Sequence, residues 1–113
     1  MTTTNSLRLS DVCSAVERGL PVAVPGDFAA AVREAARQAR VDRRIGLIQH
    51  WRINAATRNP RQLQRIYAGV IDESIAAGVA TADQSADGFD WTNLISFIER
   101  LLPLILQLIS LFS

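Results

Sequence analysis

His50, Cys13 and the neighbouring acids Asp72 and Glu73 are the side chains that could move a proton, attack an electrophile or hold a metal. They are scattered. His50 is the only histidine and Cys13 the only cysteine, so the chain offers neither a Cys/His metal cluster nor an internal disulfide. Cys13 falls with Leu9, Val12 and Val16 at helical spacing and reads as a small core residue, whereas a reactive thiol needs an exposed, electropositive setting. Asp72 and Glu73 are consecutive on a helical pattern, which turns them about 100° apart and prevents them from acting as a poised acid/base pair. No phosphate-binding glycine loop, zincin motif or nucleophile elbow occurs in the chain. These observations point away from an enzyme, with no catalytic, cofactor-binding or metal-ligating residue, no cofactor and no small-molecule substrate.

Arginine is the residue type with a pattern. Lysine is absent, and positions 33–65 hold nine arginines against Glu34 and Asp42, a net of +7. Positions 66–99 hold six acids and one base-free run as far as Glu99, a net of −6. Opposed blocks of this kind favour attraction between helices or contact with a polyanion. Arg61, Gln62 and Arg65 stand near the start of a helix, where a helix-turn-helix reads base edges. Arg40, Arg43, Arg44, Arg52 and Arg58 are placed to meet phosphates. A small nucleic-acid-binding module built on this block is therefore the second functional reading. Asp72 and Glu73 further along the same helix weigh against it.

The strongest apolar signal is "DWTNLISFIERLLPLILQLISLF", positions 90–112. On a helical projection, Thr92, Asn93, Ser96, Glu99, Arg100, Pro103, Gln107 and Ser110 form one polar stripe, and apolar residues fill the other 240° or so. A surface helix needs an apolar arc of about 100°, so part of this one is expected to remain for an interaction. Trp91, Leu94, Ile98, Leu101, Leu102, Ile105, Leu108, Ile109 and Phe112 are the candidate interface residues. A membrane span needs about 20 apolar residues, and the charge-free part after Arg100 is much shorter. The helix can pack on the N-terminal helices and complete one bundle, but the surplus of apolar arc makes self-assembly into a homo-oligomer the first functional expectation, and attachment to a membrane surface the next.

Four shorter elements precede this segment. A helix capped by Ser10 runs to Arg18, and an Ala-rich helix capped by Asp27 carries the stripe Phe28, Val32, Ala35, Ala39. Val41, Ile45, Ile48, Trp51 and Ala55 do not continue that stripe, which predicts a break in "ARVDRR". Asn59 and Pro60 open a fourth helix with Leu63, Ile66, Tyr67, Val70, Ile71 and Ile75 on one face, and Gly78 ends it. The expected architecture is all-α: a small helical bundle over 1–80, an acidic linker over 81–89, and one long, strongly apolar amphipathic C-terminal helix over 90–113. No secretory signal opens the chain, so a cytoplasmic location is expected, with membrane association through the C-terminal helix. Deleting residues 88–113 should then leave a smaller folded particle.

Overall fold

The computed structural model describes residues 7–111, without the side chains of Ser110 and Leu111. Among the described residues the chain is all-α: α1 Leu9–Glu17, α2 Gly26–Val41, α3 Leu47–Ala56, α4 Pro60–Ala76, a short 3₁₀ turn Trp91–Leu94, α5 Ile95–Arg100 and α6 Leu102–Leu111. Two starts differ from the expected caps. α1 begins one residue before Ser10, where the backbone N–H of Arg8 donates to Asp11 at 3.2 Å. α2 begins at Gly26, so Asp27 lies in its first turn, where a carboxylate favours the positive end of the helix dipole. The start of α4 is as read: the Asn59 side-chain oxygen accepts from the Arg61 and Gln62 N–H groups at 3.0 and 3.2 Å, and Pro60 loses nothing at a position with no helical acceptor.

α2 stops where the change of face requires. Its last carbonyls are taken up by a Schellman turn, with Arg43 N–H on Arg40 C=O at 3.1 Å and Arg44 N–H on Ala39 C=O at 2.8 Å. Arg43 itself has φ 59°, the left-handed conformation usually left to glycine. An L side chain there costs about 1 kcal/mol or more.

The C-terminal segment departs most from expectation. It is two helices, bent by 79° at Leu101. Pro103 has no N–H to give the Glu99 carbonyl, so α5 closes early with Leu101 N–H on Ile98 C=O at 2.9 Å. The next helical bond, Ile105 N–H to Leu101 C=O, starts α6 with Pro103 in its first turn, where the missing donor costs little. The elbow allows one segment to serve two sets of partners. The 3₁₀ turn and α5 lie along α2, while α6 crosses α3 and α4. Trp91, Ile98, Leu102, Ile105 and Ile109 follow one another at spacings of seven, four, three and four, a single narrow stripe, and all five are buried.

Around Trp91 the core is aromatic. Its ring meets Phe28 edge-on at 5.0 Å and Tyr67 at 5.8 Å between centroids, and Phe89 covers it at 4.5 Å. Such pairs add to the burial of their area. The 81–89 stretch, expected as a linker, is held against the start of α1. Leu9 N–H donates to Gln84 C=O at 2.9 Å, and Ala86 N–H donates to Leu7 C=O at 2.7 Å. Arg8 and Ser85 form an isolated antiparallel bridge between these strands of backbone.

Candidate docking surface

The elements above decide which predicted residues can meet a partner. Trp91, Ile98, Leu102, Ile105 and Ile109 are in the core, and Leu94, Leu101 and Leu108 are half-buried beside it. Phe112 lies outside the described residues. The expected C-terminal interface is thus largely occupied by the chain's own helices. Its wide apolar arc divides into a buried centre and half-covered flanks.

Exposed apolar surface instead gathers at the corner between α2 and α3. Val41 and Leu47 are each 65% exposed, Ile48 73% and Trp51 72%. These are large side chains, and three of them share one turn of one helix. On a ten-residue helix, Leu47, Ile48, Trp51 and Ala55 occupy one side while Ile53 and Ala56 occupy the opposite one. Only the second side faces the core, against α2, α4 and α6. Ile48 and Trp51 share a stripe in the sequence but were not among the expected site residues. The available signal was that α3 is apolar on two opposed faces, and so short a helix packed by one face cannot cover both.

The corner is fixed from beneath. Arg33 Nη1 on α2 reaches Thr57 Oγ1 just past α3 at 3.4 Å. Asn54 Nδ2 donates to the His50 carbonyl at 3.0 Å and lies 3.2 Å from His50 Nε2, which accounts for the lone histidine as part of the helix. Arg44 Nη1 meets Glu99 Oε2 at 3.2 Å, tying the turn to α5. Ile45 is the one buried residue in the run 41–49, and it pins the turn to the core.

Arginine flanks this apolar surface. Arg43 is exposed in the turn itself and Arg40 and Arg52 are half-exposed on either side of it, Arg44 is paired with Glu99, and Arg58 lies past the far end of α3 beside Pro60, Leu63 and Gln64. Arg61 and Arg65 are exposed further on and, with Asn59 and Gln62, line an open hollow of about 320 Å³ at the start of α4. The seven arginines expected to act together therefore divide: Arg40, Arg43, Arg44 and Arg52 lie toward the corner, while Arg58, Arg61 and Arg65 lie around the start of α4. Arg43 holds its place despite its strained backbone, which gives a direct test. Arg43→Gly is expected to raise stability by about 1 kcal/mol, read by thermal unfolding. A loss of stability would mean that the Arg43 side chain supports the fold.

At the other end of α2 lies a second feature. A wide, shallow hollow of about 470 Å³ is lined by Val79, Phe89 and Leu94 together with the polar side chains of Gln84, Ser85, Asp87 and Asp90. Asp90 is locally engaged, accepting from Thr92 N–H at 3.1 Å and from Asn93 Nδ2 at 2.8 Å. Asp87 is exposed.

Chemistry remains sparse. Burial pushes the Cys13 thiol up to about 12, helped by nearby Asp72, which removes the thiolate at neutral pH. Among the described residues no group of three His, Cys, Asp or Glu side chains is placed to hold a metal ion. No single described helix is long and apolar enough to cross a membrane. Comparison with protein-family models, curated proteins and solved structures matches nothing to this chain.

Proposed function

We propose that the chain is a non-enzymatic interaction protein that docks through its α2–α3 corner onto an apolar surface of negative charge. The observation that carries this reading is the exposure of Leu47, Ile48 and Trp51 on one turn of α3, with Arg43 exposed in the turn before them. Single exposed apolar residues are ordinary, but a contiguous group with a tryptophan among them marks a contact surface. The arginines add reach: they steer an acidic partner toward the corner and oppose a cationic one. Replacing Ile48 and Trp51 by serine is expected to leave the melting temperature nearly unchanged, because neither side chain supports the core. The same chain should elute earlier from a phenyl matrix than the wild type. Equal retention would mean that the corner is not an accessible apolar surface.

The C-terminal pair offers a further route to attachment. α5 and α6 together have the length and composition of a span, although they are bent by 79°. A single long apolar helix would require the Leu101 elbow to straighten and the stripe from Trp91 to Ile109 to leave the core. Vesicle binding that survives the Ile48→Ser, Trp51→Ser substitution would favour that route. The hollow lined by Arg61, Gln62 and Arg65 supports the nucleic-acid reading in the same limited way. Arg61→Ala with Arg65→Ala should abolish salt-sensitive binding if that reading holds.

A further inference from the structure

A small pocket lies between the end of α2 and the C-terminal elbow. It encloses about 290 Å³, with Ala39, Ile45, Leu102 and Pro103 as apolar walls and Arg44, Glu99 and Arg100 as charged ones. We infer that this pocket binds a small monocarboxylate with an apolar body, of the size of a single aromatic ring. The inference goes beyond the docking reading and does not rest on it, since neither Ile48 nor Trp51 lines the pocket.

The walls follow from the sequence. Ala39 is the last buried residue of α2 and offers only a methyl group where a longer side chain would fill the space. Ile45 and Leu102 are buried, one in the α2–α3 turn and one at the start of α6. Pro103, just past the 79° bend, closes the apolar side. Small-molecule sites are commonly of this kind, mostly apolar with a few placed polar groups, and start at about 300 Å³. A cavity of about 150 Å³ already admits a benzene ring. The volume here holds a ring with a short head group and little more.

The charged walls select the head group. The Glu99 side chain is only 12% exposed, and its Oε2 accepts from Arg44 Nη1 at 3.2 Å, so these two residues balance each other. Arg100 is exposed and makes no ion pair among the described residues. Two guanidinium groups and one carboxylate leave the pocket with one positive charge in excess. Asp42 and Arg43 in the neighbouring turn do not line it and offset each other. A single carboxylate restores neutrality. It can bond Arg100 together with the N–H groups of Arg44 that Glu99 does not use. An ammonium head would face Arg100 with Glu99 already engaged, and a neutral head gains apolar contact alone. Because both arginines reach water, the preference weakens as salt is added. Such a ligand would touch the α2–α3 turn and the elbow at once, and so favour the folded chain in which they meet.

Benzoate, benzyl alcohol and benzylamine share one ring and differ in the charge of the head group. Each is titrated into the full-length protein at low ionic strength while the backbone amide signals are followed by NMR. Benzoate is expected to give saturable shifts at Ala39, Ile45 and Leu102, with an affinity at least tenfold above that of benzylamine and benzyl alcohol between them. Arg100→Glu should invert the order, so that benzylamine binds better than benzoate. Arg100→Ala, which introduces no new charge beside Glu99, should remove the preference of benzoate over benzyl alcohol. No saturable shift at the three amides, equal affinity for the three probes, or an order unchanged in both variants overturns the inference. Benzoate shifts that follow exposed arginines such as Arg43 and Arg61 instead of the pocket overturn it as well. None of these outcomes alters the phenyl retention of the Ile48→Ser, Trp51→Ser chain, so the docking reading is judged separately.

Discussion

A chain ending at Gly88 is expected to lose its cooperative thermal transition. The truncation removes the 3₁₀ turn, α5 and α6, and with them five buried side chains: Trp91, Ile98, Leu102, Ile105 and Ile109. The remaining helices lose the surface they share. α2 packs more extensively on α5 than on any other element, and α6 is the common partner of α3 and α4. What survives is α1 on α4, α2 on α3 and a small contact of α3 with α4, with Phe28 and Tyr67 losing the Trp91 ring between them. A domain of about 80 residues is already marginal when its core is complete. Far-UV helicity should therefore persist in part while near-UV signal and a sharp melting transition disappear, the signature of helices without fixed packing. A truncated chain that melts cooperatively near the wild-type temperature would return the C-terminal segment to the status of an appendage.

The two tryptophans should give opposite results. Trp91 is fully buried among Phe28, Tyr67 and Phe89, and Trp91→Ala leaves a large void that rigid helices cannot close. Substitutions of this type cost about 3–5 kcal/mol, a large fraction of the roughly 5–15 kcal/mol that holds a domain of this size folded. Trp51, 72% exposed, should change stability by no more than about 0.5 kcal/mol on replacement by alanine. Urea unfolding of both variants measures the difference directly. Comparable losses at the two positions would mean that Trp51 is packed rather than presented.

The contrast between these residues also shows what a linear pattern conveys. The stripe of α2 and the Asn59–Pro60 start of α4 were legible because they depend on spacing and on one cap, both local properties. The break after Val41 was legible too, as a change of apolar face, but not its form: Arg43 occupies the left-handed position where glycine would have announced the turn. The 81–89 stretch looked like a linker because its side chains are small and acidic. It is held by backbone hydrogen bonds to residues 7–10, and backbone pairing leaves no trace in residue type.

The C-terminal segment misled for a different reason. Its apolar arc was measured correctly, but arc width says how much a helix can bury, not on whom. Pro103 stood in the projection only as a member of the polar stripe, and the elbow it produces turns the segment onto two layers of the same molecule. The surplus apolar surface assigned to that helix is found on α3. There the corner had been visible only as residues that failed to fit their neighbour's stripe. The arginines at 40, 43, 44, 52 and 58 were legible as a group. Their relation to an exposed tryptophan required the turn at Arg43 to be seen.

Amide hydrogen exchange on the full-length chain tests the account most directly, because it ranks the two regions on which everything depends. Slow exchange belongs to amides that open only with the whole fold, and fast exchange to surface segments. The amides of Ile105 to Ile109 should exchange as slowly as those of α2 and α4, and those of residues 42–48 far sooner. Rapid exchange throughout α5 and α6, with protection across the α2–α3 corner, would contradict it: the C-terminal helices would then be the free surface and the corner part of the core.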